Sequence, residues 1–169
     1  MSNLTYPEAT EYVAPKKNIL VLSCMDLRLT DNVVNFLHFD NLTNRFDHCI
    51  LAGTSLLCSK NYQSHLNKAG LKYIHFIGAL ESHIELAKLL HKIEDVYIFE
   101  HQDCGAYTNL TDTKKVKPSD LLDLKLEKEW HKKISTDLAH QIKNSNQDLH
   151  VHCFYIDLRG NVELLYTLP

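Results

Sequence analysis

No run in the sequence is apolar for the 18 or so residues that a membrane-crossing helix requires, which excludes a transmembrane helix and gives no reason to expect a membrane partner. A basic excess is also missing: 18 lysines and arginines face 21 aspartates and glutamates, a net charge of −3 with the histidines neutral, so nothing points to nucleic acid. The opening residues, MSNLTYPEATEYVAPKKN, lack the basic start and apolar stretch of a secretory signal, and a cytoplasmic protein is the expectation. No Gly-x-Gly-x-x-Gly follows the first apolar run and there is no phosphate-loop lysine, so nucleotide binding has no foothold. Cys-x-x-Cys is absent, which removes the usual disulfide oxidoreductase. A cysteine phosphatase would need a longer loop between cysteine and arginine than Cys24 to Arg28 provides. The sequence shows no internal repeat, low-complexity segment or interdomain linker.

What remains is an ordinary globular composition, 44% apolar and 23% charged over 169 residues, enough for one domain with a sizeable core. The odd number of cysteines, five, reads as potential thiolates rather than a disulfide framework. Residues 1–17, polar and carrying Pro7 and Pro15, read as an arm that orders only by packing on something else, ahead of an α/β domain over 18–169.

Within that domain, NILVLSC (18–24) is a short apolar run of the kind buried on both faces of a parallel sheet. TDNVVNFLHF follows at helical spacing with Thr30 or Asp31 as the expected N-cap. FDHCILAG reads as a second buried strand ended by Gly53, and 54–70 as a loop and a helix. LKYIHFIGA alternates as an extended segment would, and ALESHIELAKLLHKI carries an apolar stripe of Leu80, Ile84, Ala87 or Leu86, Leu90 and Ile93. DVYIFEH is another strand, TDTKKVK a solvated loop, and Pro118 opens a long helix to about Asn144. LHVHCFYIDLRGNVELLYTL gives two strands about a turn at Arg159–Asn161. Strands alternating with helices predict an α/β fold: a central, mostly parallel β-sheet flanked by helices, with an antiparallel C-terminal strand pair.

Ligands of such sheets bind beyond the carboxyl ends of the strands. Cys24 and His101 each follow an apolar strand, so CMDLR (24–28) and HQDCG (101–105) are expected to converge there. Cys24, His101 and Cys104 supply the three ligands of a catalytic zinc with one open position. Two thiolates cancel the ion's charge, so such a site needs help in activating water. Asp26 and Arg28 are placed to give it: Arg28 holds the Asp26 carboxylate in a bidentate pair, off the metal and free to accept a hydrogen bond from the nucleophile.

CMDLR and HQDCG together resemble the Cys-x-Asp-x-Arg and His-x-x-Cys-Gly signatures of the β-class carbonic anhydrases. The resemblance extends over about residues 18–166: ILAG (50–53) is similar to the family's second strand and glycine turn, ALESHIELAKL to the helix before the metal-bearing strand, and FYIDLRGNVELL to the terminal strand pair. It implies a zinc lyase with one zinc ion per chain, hydrating carbon dioxide reversibly to bicarbonate through zinc-bound hydroxide, with Cys24, His101 and Cys104 as ligands and Asp26 and Arg28 as the catalytic dyad. It also implies a homodimer or higher homo-oligomer. The sequence departs from the pattern in extra residues within about 54–78, in Thr54 where many members have asparagine, and in a short N-terminal arm, as a divergent branch would.

Two rivals stay open. The same scaffold could hydrolyse carbon disulfide or carbonyl sulfide, which share the linear shape of carbon dioxide. Alternatively, a non-catalytic regulatory domain would hold zinc with Asp26 as a closing ligand. Elsewhere, Cys49, Cys58 and Cys153 read as core residues, and His150 and His152 lie on the opposite strand face from Cys153 and so make no cluster with it. His83 reads as a surface histidine, with a proton shuttle as the alternative, and Tyr107 either lines the pocket or packs.

Overall fold

The computed structural model describes residues 17–169, so the N-terminal arm read from 1–17 lies, but for Lys17, outside the described residues. Five strands, β1 (Ile19–Ser23), β2 (Phe46–Ile50), β3 (Asp95–His101), β4 (His150–Ile156) and β5 (Val162–Leu168), form one sheet in the order β2-β1-β3-β4-β5. The first four are parallel and β5 runs antiparallel to β4, as the sequence predicts. The turn between β4 and β5 passes through Gly160 at φ +86, a left-handed conformation that glycine adopts without steric cost.

Alternation along the strands sorts the core into two faces. Ile19, Val21, Tyr97, Phe99, Phe154 and Ile156 point to one side, where α1 (Thr30–Phe39) covers them with Val33 and Leu37. Leu20, Leu22, Val96, Ile98, Val151 and Cys153 point to the other, beneath α3 (Phe76–His91) and α6 (Leu124–Ser145). The short helices α2 (Ser55–Cys58), α4 (Gly105–Leu110) and α5 (Pro118–Leu122) gather beyond the strand ends. There Leu56, Leu57, Tyr107 and Leu121 pack with Cys104 and Ile134 in a third cluster.

Five local expectations need correction. β2 is a sheet edge rather than a fully buried strand: of its residues only Cys49 is buried and Ile50 is exposed. The N-cap of α1 is Leu29, and Thr30 and Asp31 already lie inside the helix without a side-chain cap. LKYIHFIGA is not extended. Asn67 Oδ1 accepts from the backbone of Ala69 and Gly70 at 2.9 and 3.0 Å, starting a tight turn that leads through a 3₁₀ segment, Gly70–Tyr73, into α3. In α3 the stripe runs through Ile77, Leu80, Ile84 and Ala87, and Leu86 and Leu90 face outward.

The long helix after Pro118 is two helices, α5 and α6, because Asp123 leaves helical geometry and turns its carboxylate onto the backbone N–H groups of Lys125 and Leu126 at 2.9 and 3.0 Å. Substituting Asp123→Ala removes this cap, and urea denaturation should show a loss of about 1 kcal/mol.

Candidate metal centre

β1 and β3 pair in parallel with Ser23 opposite Phe99, so both chains leave the sheet at the same edge. Cys24 is the first residue beyond β1 and His101 is the last of β3. A tight turn follows His101. Asp103 takes a left-handed conformation at φ +57, and Cys104 becomes the N-cap of α4. The turn folds Cys104 back beside His101. One ligand atom from each of Cys24, His101 and Cys104 lies within 4.8 Å of the others. Cys104 and His101 are buried and Cys24 is partly exposed.

The donor set suits zinc. A Zn–S length of about 2.3 Å puts neighbouring sulfurs about 3.8 Å apart on a tetrahedral ion, so the three atoms stand within about an ångström of closing on one. The tautomer of His101 is fixed by its neighbour: Nδ1 lies 2.8 Å from the Gln102 carbonyl, which can only accept, so Nδ1 carries the proton. Nε2 is left with its lone pair available, buried and without a hydrogen-bond partner. A buried polar atom of this kind is costly unless something binds it.

The thiols reflect the same crowding. The Cys104 thiol donates toward Cys24 and, with help from His101, lowers the Cys24 pKa to about 4. Cys104 moves the opposite way, well above its ordinary value, because it is the donor of that pair and is buried. Burial opposes a charge on His101, but the Cys24 thiolate outweighs it and raises the imidazole's pKa.

Asp26 and Arg28 pair as expected. Arg28 Nε and Nη2 donate to Asp26 Oδ1 and Oδ2 at 2.9 and 2.6 Å, and the Arg28 backbone N–H donates to Oδ1 at 3.0 Å. These bonds lower the Asp26 pKa to about 2. Asp26 is not part of the three-residue ligand group. The other side of Arg28 is fixed by a residue that motif reading passed over: Asp103 accepts from Nη1 at 2.8 Å through Oδ2 and from Nη2 at 3.0 Å through its carbonyl. The turn between two ligands thereby holds the arginine that holds Asp26. An aspartate inside HQDC, in a turn needing a left-handed residue, was the available signal.

Gly53 is demanded at φ +68 by the turn before α2, where a Cβ would come 2.7 Å from that of Ala106. Beside the candidate ligands a small cleft of about 10 Å³ is walled by Leu29, Val33, Phe99 and Ile156, with Ser23, Thr30 and Glu100 also on its lining. Tyr107 packs rather than lining it: it is buried and donates to Glu100 Oε2 at 3.0 Å. His83 is exposed on α3, bonded to the Ala79 carbonyl, and lines a different cleft with Asp47 and His48. His152 pairs with Asp95 at 2.7 Å and Cys153 faces the core. Burial pushes the thiol of Cys49 up to about 11 and raises those of Cys58 and Cys153 as well, in keeping with inert core residues.

No family model matches the sequence. The chain is 29% identical over 147 residues to an uncharacterized protein of Rickettsia bellii, covering 87% of this chain and 80% of that one. A second uncharacterized protein, RC0076 of Rickettsia conorii, is 28% identical over 150 residues, covering 89% and 73%. In three dimensions the chain is similar to the wild-type β-carbonic anhydrase CafD of Aspergillus fumigatus, at 12% identity and a TM-score of 0.52, covering 90% of this chain and 91% of that one. It is also similar to a tetrameric β-carbonic anhydrase of Sordaria macrospora, at 11% identity and a TM-score of 0.52, covering 92% and 84%. The fold is therefore that of the β-carbonic anhydrases at low sequence identity, as for a divergent branch. Among the described residues no helix is long and apolar enough to cross a membrane.

If Arg28 is what keeps the Asp26 carboxyl acidic, Arg28→Ala should raise its pKa from about 2 toward the ordinary aspartate value. Carboxylate-carbon NMR of the metal-free chain reads this directly.

Proposed function

We propose that Cys24, His101 and Cys104 hold one zinc ion per chain and that the site hydrates carbon dioxide reversibly to bicarbonate and a proton. The observation that carries the reading is the convergence of two thiols and a tautomer-fixed imidazole at one sheet edge, on a fold shared with β-carbonic anhydrases. Zinc held by these three supplies a Lewis acid with an open fourth position.

The chain's own residues do the rest. Asp26, with its pKa near 2, stays ionised at neutral pH and can only accept, so it takes a hydrogen bond from the attacking water and fixes its direction. Arg28 prevents Asp26 from turning onto the metal, and Asp103 holds Arg28 still. Leu29, Val33, Phe99 and Ile156 share the cleft wall with Glu100 and His101, and its small size is in keeping with a small substrate. Residues 18–169 are proposed as the catalytic domain, and a homo-oligomer as the working form, by analogy with the Sordaria macrospora enzyme described as tetrameric. Sedimentation velocity tests the assembly.

Stopped-flow hydration of carbon dioxide, expressed per bound zinc, tests the reaction. The rate should stand well above the uncatalysed one and rise with pH. No rate at full occupancy would overturn carbon dioxide as the substrate and pass the question to carbon disulfide and carbonyl sulfide. Cys104→Ser should lose most of the bound zinc, read by elemental analysis after dialysis. Asp26→Ala should keep its zinc and lose on the order of a hundredfold in rate, as expected for a positioned acid–base group.

A further inference from the structure

Behind the ligand turn lies a buried charged cluster that the proposed reaction does not use. Glu100, directly before His101, is 1% exposed although it ends an apolar strand. By strand alternation it points to the face opposite His101, toward α6. There His131 Nδ1 lies 2.6 Å from Glu100 Oε2, and the His131 ring is fully buried. On its other side His131 Nε2 lies 3.7 Å from Glu127 Oε1, one turn earlier on α6. The contact is a hydrogen bond between the imidazole and the Glu100 carboxyl group. Burial works against a cation here, but the two glutamates outweigh it and raise the His131 pKa.

Each glutamate is tied to a different part of the candidate metal centre. Glu100 accepts from the Ser55 backbone N–H at 3.1 Å and from Tyr107 at 3.0 Å, joining the strand end to the Gly53–Ser55 turn and to the helix that Cys104 caps. Glu127 accepts from the Asp103 backbone N–H at 2.6 Å, and Asp103 in turn clasps Arg28. One imidazole on α6 thus stands between carboxylates that fix residues on both sides of the His101–Cys104 turn.

Resting on the proposed ligand set, we infer that His131 is a positioning residue of the metal centre: through Glu100 and Glu127 it sets the spacing of His101 and Cys104 and, through Asp103, the placement of Arg28. It touches neither metal nor substrate. Removing a partner bonded directly to a metal ligand typically costs tenfold to a hundredfold in metal affinity, and His131, acting through the glutamates, is expected at the lower end of that range.

The test measures metal affinity by chelator competition and the visible spectrum of the cobalt-substituted chain, neither of which needs turnover. His131→Phe keeps a ring of similar size and removes both nitrogens. It should bind zinc about tenfold more weakly and alter the cobalt bands, with circular dichroism unchanged. Should that variant not fold, Glu127 carries the test. Glu127→Ala, which frees the Asp103 N–H but leaves the Glu100–His131 pair, should weaken zinc at least tenfold. Glu127→Gln, which keeps an acceptor for that N–H, should recover most of the loss. Folded His131→Phe or Glu127→Ala with parental affinity and cobalt spectrum would overturn the inference. A parent that binds metal tightly without hydrating carbon dioxide would overturn the proposed reaction alone, and a parent that binds no metal would overturn both.

Discussion

Everything at the candidate site depends on β1 and β3 lying side by side and parallel. Antiparallel neighbours would deliver their chain ends to opposite edges. The parallel register sets Ser23 beside Phe99 and lets residues 24 and 101, distant in sequence, leave the sheet together. Parallel strands need coverage on both faces, which α1 on one side and α3 with α6 on the other provide. The helices are thus a condition for the site as well as for the core, and α6 serves both ends with Leu138 and Ile142 in the core and His131 and Glu127 behind the ligand turn.

Without an ion between them, the two sulfurs are an awkward pair. Their pKa values move in opposite directions, with Cys24 the readier thiolate and Cys104 the one that holds its proton. Zinc held here would require both as thiolates, so its uptake would expel that proton and its affinity would fall with acidity. A bound ion would in exchange give the lone pair of His101 Nε2 a partner. A buried imidazole nitrogen without a hydrogen-bond partner, set beside two thiols, is a physical reason to read the site as a candidate metal centre. Two buried thiols in an apolar core would shift upward together, as Cys49 and Cys58 do.

The sequence was most legible where a single local rule applied. Continuous apolar runs marked β1 and β3, the C-terminal pair about its turn marked β4 and β5, and CMDLR and HQDCG named three residues that the fold brings together. It was least legible where side-chain hydrogen bonds override apolar pattern. Asn67 turns LKYIHFIGA away from an extended path, and Asp123 splits a continuous helical pattern in two. The edge position of β2 could not be read at all, since its burial depends on strand order. Asp103 and Glu100 were visible as letters, but their partners Arg28, His131 and Ser55 lie far off in the chain.

Charge accounting bears on what the proposed centre would tolerate. Two thiolates balance a divalent ion, which leaves the proposed centre nearly neutral and indifferent to moderate changes in the surrounding field. What it cannot tolerate is displacement, because a tetrahedral ion accepts only a narrow range of ligand positions. Polar groups near the centre are accordingly organised for stiffness: Arg28 makes fork bonds to two aspartates, and His131 stands between two glutamates, each bonded to backbone. Buried ionic groups contribute little net stability over apolar packing, and their best-attested use is to specify one geometry. Surface residues and helix ends carry no such constraint from the site. The turn from His101 to Cys104 does, since its backbone and side chains are held from the front by Arg28 and from behind by α6.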